Sequence, residues 1–206
     1  KLLVVACNTA SAAALHELED ALDLPVIGVI DPGARALVSA TRTGRVGVIG
    51  TVGTIGSGAY QAAVAEVDRT VELSCAACPG FVEFVERGET SSDQVHVLAE
   101  RLLDPLREAK VDSLLLGCTH YPFLARTISE VMGPDVVLVS SADETAFEVR
   151  ARLEATSIAR VAPLSGGARG ATHRWYSSGD VAAFVRLGRR LLGPELDTAT
   201  PVEWPA

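Results

Sequence analysis

The chain has 206 residues, 48% of them hydrophobic and 21% charged, with a formal net charge of −8. That balance describes a folded globular chain of one or two domains and excludes a disordered low-complexity polymer. The acidic charge disfavours a nucleic-acid surface, and no apolar run reaches the roughly 20 residues of a membrane span.

Apolar runs alternate with amphipathic stretches along the whole sequence. In chain order they predict strand 2–7, helix 11–22, strand 26–30, helix 33–40, strand 45–50, helix 58–65 and strand 70–74. There follow helices 79–86 and 92–110, strand 113–117, helix 123–132, strand 136–140, helix 143–154, strand 172–176 and helix 180–192. Such alternation predicts an α/β fold of parallel sheets flanked by helices. Ser91, Ser92 and Asp93 supply N-cap chemistry for the long helix, and Asp180 does so for the last one. Pro105 is expected to kink or split the long helix. Asp31-Pro32-Gly33 is expected to break the chain between a strand and the next helix, and residues 165–170 to form a surface loop.

Two strings carry the chemistry: Ala6-Cys7-Asn8-Thr9-Ala10 and Gly117-Cys118-Thr119-His120-Tyr121-Pro122. Each follows a short apolar run and precedes a helix-like stretch, so one device is built twice: strand, cysteine, then small polar residues opening a helix. Ligands of open parallel sheets bind off the carboxyl ends of the strands. Two thiols delivered there suit a reaction that needs a base on one side of a carbon and an acid on the other. A helix N-terminus favours thiolate over thiol. Asn8, Thr9 and Thr119 have two compatible uses, as helix caps and as an anion cradle with nearby backbone N–H groups. His120 is close enough in sequence to Cys118 to orient or deprotonate it.

The run from Gly50 to Gly58 is rich in glycine and hydroxyls but lacks both the Gly-x-Gly-x-x-Gly order and a Gly-Lys-Ser/Thr step. Thr51 and Thr54 are better read as hydroxyls for a carboxylate. Cys75-Ala-Ala-Cys78 has the spacing of a redox or zinc pair. A structural zinc needs about four ligands and the sequence holds no second pair, so these two cysteines are read as packing residues. Four cysteines without a loop-rich framework are read as free thiols of a cytoplasmic protein.

The two cysteine strings resemble the paired signatures of glutamate racemase, in the cofactor-independent aspartate/glutamate racemase superfamily. Gly50-Thr51 through Ser57 to Tyr60, Cys78-Pro79 through Phe81-Val82 to Glu86, and Ser178-Gly179-Asp180 with Phe184 are similar to that family too. His120 stands where aspartate racemases typically carry Glu, and Ser11 where their first signature commonly continues to His. The resemblance implies two pseudo-symmetric α/β domains, residues 1–30 plus 140–206 and residues 31–139, with the active site in the cleft between them. It implies Cys7 and Cys118 as catalytic residues. Asn8, Thr9, Thr119 and His120 would bind substrate, with Thr51, Thr54 and Glu86 behind them.

Further implications of the resemblance are L-/D-glutamate as substrate, no metal or other cofactor, a homodimer, and D-glutamate for peptidoglycan as output. It also implies a preceding segment, about a quarter of the usual length and including at least one βα unit, that carries an Asp-Ser-Gly-x-Gly-Gly stretch and a Tyr-Gly pair. Rival readings are a racemase of aspartate or hydantoin type, a one-cysteine decarboxylase of the same fold, and a binding remnant without catalysis. Retention of both cysteines disfavours the decarboxylase.

Overall fold

A computed structural model describes residues 1–159 and 172–204 of the chain. The chain forms two compact units, Lys1–Ala159 and Arg160–Ala206. In the first, elements follow the order β1 (Leu3–Val5), α1 (Asn8–Ala21), β2 (Val26–Gly28), α2 (Ile30–Ala40), β3 (Arg45–Gly50), α3 (Val52–Gly56) and α4 (Ala59–Val67). They continue with β4 (Glu72–Ala77), α5 (Phe81–Arg87), α6 (Asp93–Glu108), β5 (Ser113–Gly117), a 3-10 turn (Tyr121–Leu124), α7 (Ala125–Met132), β6 (Val137–Val139) and α8 (Ser141–Ala155). In the second unit β7 (Tyr176–Ser177) pairs in parallel with β8 (Thr200–Pro201), and α9 (Val181–Leu192) lies between them in sequence. The predicted loop at residues 165–170 lies outside the described residues.

The main sheet has the order β4-β3-β5-β6, with every pair parallel. Alternation along its central strands sorts their side chains to two faces. Ile49, Leu114 and Leu116 pack with Phe81, Val85, Val95, Leu103 and Ile128 on one face. Val46, Val48 and Leu115 pack with Ala34, Leu37, Tyr60 and Val64 on the other. Each large side chain buried in this way contributes about 1.5–3 kcal/mol. Helices on both faces explain why β3 and β5 are apolar from their second residue on. Gly50 is in register with both Ala77 and Gly117, so three strands end together. Cys118 follows one of those ends.

β1 and β2 form a separate two-stranded parallel sheet. The predicted strand at 2–7 shortens to three residues, and Val4 on it is 37% exposed. Other sequence expectations shift for identifiable reasons. Asp31-Pro32-Gly33 does not break the chain, since α2 begins at Ile30 and contains all three. Pro32 sits in the first turn, where its missing N–H has no helical partner to lose. Pro105 lies near the carboxyl end of α6, which runs unbroken to Glu108. The predicted strand at 70–74 moves to Glu72–Ala77, and the one at 172–176 to Tyr176–Ser177. The expected caps form: Ser92 accepts from Val95 N and Asp180 from Ala183 N.

Candidate active site

The first thiol is placed by β1 and α1. The strand ends at Val5, and Cys7 occupies the N-cap of α1 in extended conformation. Ser11 steadies this corner, donating from Oγ to the Val5 carbonyl at 2.8 Å and accepting from Val29 N at 3.4 Å. Because α1 begins at Asn8 rather than at residue 11, Asn8 and Thr9 lie in its first turn with side chains turned to other work. Neither caps the helix. Asn8 is buried, and its Oδ1 accepts a 2.6 Å hydrogen bond from the Tyr60 hydroxyl. The hydroxyl of Thr9 lies 2.8 Å from that of Thr51 and 2.9 Å from that of Thr54, which are themselves 3.0 Å apart. Three hydroxyls thus close a ring. Thr51 also caps α3, the short helix formed within the expected glycine-rich loop, by accepting from Thr54 N.

The second thiol follows β5 directly. Cys118 is buried, and the backbone N–H groups of His120 and Tyr121 and the Thr119 side chain favour its ionised form. Burial pushes its pKa up, the amides oppose that rise, and the charge of Cys7 adds to it. The expected helix-start lowering is therefore outweighed here by desolvation. A charge on Cys7 therefore works against ionisation of Cys118.

His120 joins this thiol to α5. Its Nδ1 lies 3.9 Å from Cys118 Sγ and 3.4 Å from Thr119 Oγ1, while Nε2 lies 3.2 Å from Glu86 Oε1. A proton on Nε2 satisfies the carboxylate and leaves Nδ1 as the acceptor facing the thiol. The row Glu86–His120–Cys118 is thus ordered for moving a proton. Thr119, like Asn8 and Thr9, makes no cap; the N-cap of the following turn is His120.

A cleft of about 520 Å³ opens between these parts. Ala6 and Asn8, on either side of Cys7, line it together with Cys118 and Thr119, and Ser140 to Ala142 close another wall. The other two cysteines are elsewhere. Cys75 packs on the Val48 side of the main sheet and Cys78 on the Ile49 side. An (i, i+3) pair on extended chain faces opposite ways, so the two thiols do not converge on one ion. Burial raises their pKa values to about 11 for Cys75 and about 12 for Cys78. Among the described residues, no group of three or more His, Cys, Asp or Glu side chains is placed to hold a metal.

All nine site residues expected from the sequence lie in the first unit. Side-chain contacts join Thr9, Thr51 and Thr54 in one group and Cys118, Thr119, His120 and Glu86 in another, while Asn8, Cys118 and Thr119 line the cleft and Cys7 lies between two lining residues. Tyr60 was not among them. The sequence shows it only as the end of the family-like stretch from Gly50, and its hydrogen bond to Asn8 places it at the site.

Residues 1–148 match the Asp/Glu/Hydantoin racemase family. The chain is 53% identical over 196 residues to a glutamate racemase of Parafrankia sp., an overlap of 95% of this chain and 69% of that protein. Among solved structures, glutamate racemase isoform RacE1 from Bacillus anthracis superposes with a TM-score of 0.90 at 41% identity, covering 100% of this chain and 75% of that one. Glutamate racemase from Francisella tularensis in complex with D-glutamate gives a TM-score of 0.85 at 28% identity, covering 98% and 74%. The chain therefore belongs to the Asp/Glu/Hydantoin racemase family and, within it, to the glutamate racemases.

Proposed function

We propose that the chain interconverts L- and D-glutamate by a two-thiol mechanism without a cofactor. The observation that carries this reading is that the residues flanking Cys7 line the same cleft as Cys118, while the charge of one thiol opposes ionisation of the other. Such a pair favours one thiolate and one thiol at a time, which is the state the chemistry needs. The thiolate takes the α-proton and becomes a thiol. The carbanion then takes a proton from the opposite thiol, which becomes the new thiolate, so the product is inverted and the roles are exchanged. Asn8, Thr9 and Thr119 hold the substrate carboxylates and so stabilise developing charge, Thr51 and Thr54 support Thr9, and His120 with Glu86 tunes Cys118.

On this reading residues 1–30 with 140–206 and residues 31–139 form two pseudo-symmetric halves. The enzyme works as a cytoplasmic homodimer and supplies D-glutamate for peptidoglycan. No helix among the described residues is long and apolar enough to cross a membrane.

The test uses Cys7→Ser and Cys118→Ser in deuterated buffer. An alcohol is a far weaker acid than a thiol, so each variant should lose about 10²–10⁴-fold in racemisation in both directions. Each keeps one acid–base face and should still exchange the α-proton of one enantiomer, a different one for each variant. Normal racemisation by either serine variant sinks the two-thiol mechanism, and faster turnover of aspartate than of glutamate by the unaltered chain sinks the substrate assignment.

A further inference from the structure

Tyr60 is the second residue of α4, and its side chain is 0% exposed. It has two neighbours of a particular kind. Its hydroxyl donates to Oδ1 of Asn8, the residue after Cys7. Its ring edge lies against Gly117, the residue before Cys118: a Cβ on Gly117 would sit 3.2 Å from Tyr60 Cε2. One rigid side chain therefore touches a residue next to each thiol, the side chain of Asn8 and the bare backbone of Gly117. Asn8 is only 3% exposed and uses its Oδ1 on Tyr60, which leaves Nδ2 as the end free to serve the cleft. The ring fits where it does because position 117 has no side chain.

We propose that Tyr60 is a positioning residue that sets the spacing of Cys7 and Cys118 across the cleft, by holding Asn8 with its hydroxyl and Gly117 with its ring. This rests on the two-thiol reading and deepens it. A reaction that delivers a proton from one face and removes it from the other tolerates little error in the separation of the two groups, and about 1 Å of misplacement is enough to cost about 10²-fold in rate. Both thiols sit at the ends of short elements, β1 of three residues and β5 of five. β1 pairs with β2 and not with the main sheet, so side-chain ties such as this one hold the two thiol-bearing ends in register. Burial, followed by the charges of Cys118 and Asp31, raises the phenol pKa well above its ordinary value, so the hydroxyl remains a donor through the working pH range.

The test is Tyr60→Phe, which keeps the ring and removes the bond. Thiol spacing is read by dibromobimane, a short reagent that bridges two thiols, with the Cys7–Cys118 peptide quantified by mass spectrometry. Iodoacetamide alkylation of each cysteine measures single-thiol reactivity separately. Bridging should slow by about fivefold or more and kcat should fall by about tenfold, with single-thiol alkylation rates held near those of the unaltered chain. Tyr60→Phe in an Asn8→Ala background should add nothing further, since the bond has already lost its acceptor. Melting curves establish that each variant is folded. Unaltered bridging in Tyr60→Phe overturns the proposal, as does a parallel fall in bridging and in single-thiol alkylation, which marks a general loosening instead. Neither outcome touches the serine-variant test of the two-thiol reading.

Discussion

Asp112 offers a measurable account of how β5 is anchored at the end opposite its thiol. The residue is 8% exposed and immediately precedes β5. Its Oδ1 accepts from Thr41 Oγ1 at 2.5 Å, and its Oδ2 accepts from the backbone N–H of Arg42 at 2.8 Å and of Thr43 at 2.7 Å. Burial alone would raise the carboxyl pKa. The Thr41 hydroxyl and the two amides, with the Thr43 hydroxyl, outweigh that and hold it down to about 2, from 3.8. A tenfold change in ionisation constant is about 1.4 kcal/mol, so the bound carboxylate stabilises the fold by up to about 2.5 kcal/mol, and screening at the rim of the sheet trims this to about 1–2 kcal/mol.

Asp112→Asn turns a two-oxygen acceptor into a group whose NH₂ meets backbone donors. It should cost about 1–2 kcal/mol at pH 7, or about 2–8 °C in Tm for a chain of this size. The sign follows from the depressed folded value. The contribution is complete above the unfolded pKa of 3.8 and is lost as pH falls through about 2. Urea unfolding of both proteins at pH 7, 4 and 3, followed by circular dichroism, should show a gap that is widest at pH 7 and clearly narrower at pH 3. Glutamate turnover at 25 °C should be unaffected, since Cys118 is at the other end of the strand. Equal stability of the two proteins at pH 7, or a gap that stays constant down to pH 3, refutes the reasoning.

His120→Asn should lower turnover by about 10–100-fold and move the rising limb of the pH–rate profile to higher pH, because the buried Cys118 thiol loses the imidazole nitrogen 3.9 Å from it, which on the proposed mechanism accepts its proton. Glu86→Gln should move the profile in the same direction by less, while variants of His16, His96 and His173 leave it in place; a profile for His120→Asn that superimposes on the original removes the imidazole from the mechanism. Gly117→Ala would place a Cβ 2.6 Å from the Ile49 backbone carbonyl, so β3 and β5 must part at the Cys118 end. It should cost about 1–3 kcal/mol in thermal unfolding together with a fall in kcat. Gly47→Ala meets only side chains, at 3.0 Å and beyond, and serves as the milder control; equal losses for the two glycines would show that the backbone contact at Gly117 is not what matters.

Local pattern in the sequence determined a good deal about this protein. Strands Arg45–Gly50 and Ser113–Gly117 are apolar after their first residue because both faces of their sheet are covered, so their bounds are legible without coordinates. The two strand–cysteine units are equally visible, since each is a matter of a few adjacent residues. Where a helix starts was less legible. Asn8 and Pro32 carry signals that elsewhere mark caps and breaks, and here they sit inside first turns because tertiary contacts and free N–H positions make that harmless. Only the tertiary structure decided which small polar residues face one another. The Thr9–Thr51–Thr54 ring and the Tyr60–Asn8 bond each join residues more than forty positions apart, and no periodicity encodes such pairs. The rise in the Cys118 pKa belongs to the same class. The local sequence promises a helix-start thiol that ionises readily, whereas desolvation depends on everything packed around it, and that is set by the assembled sheet.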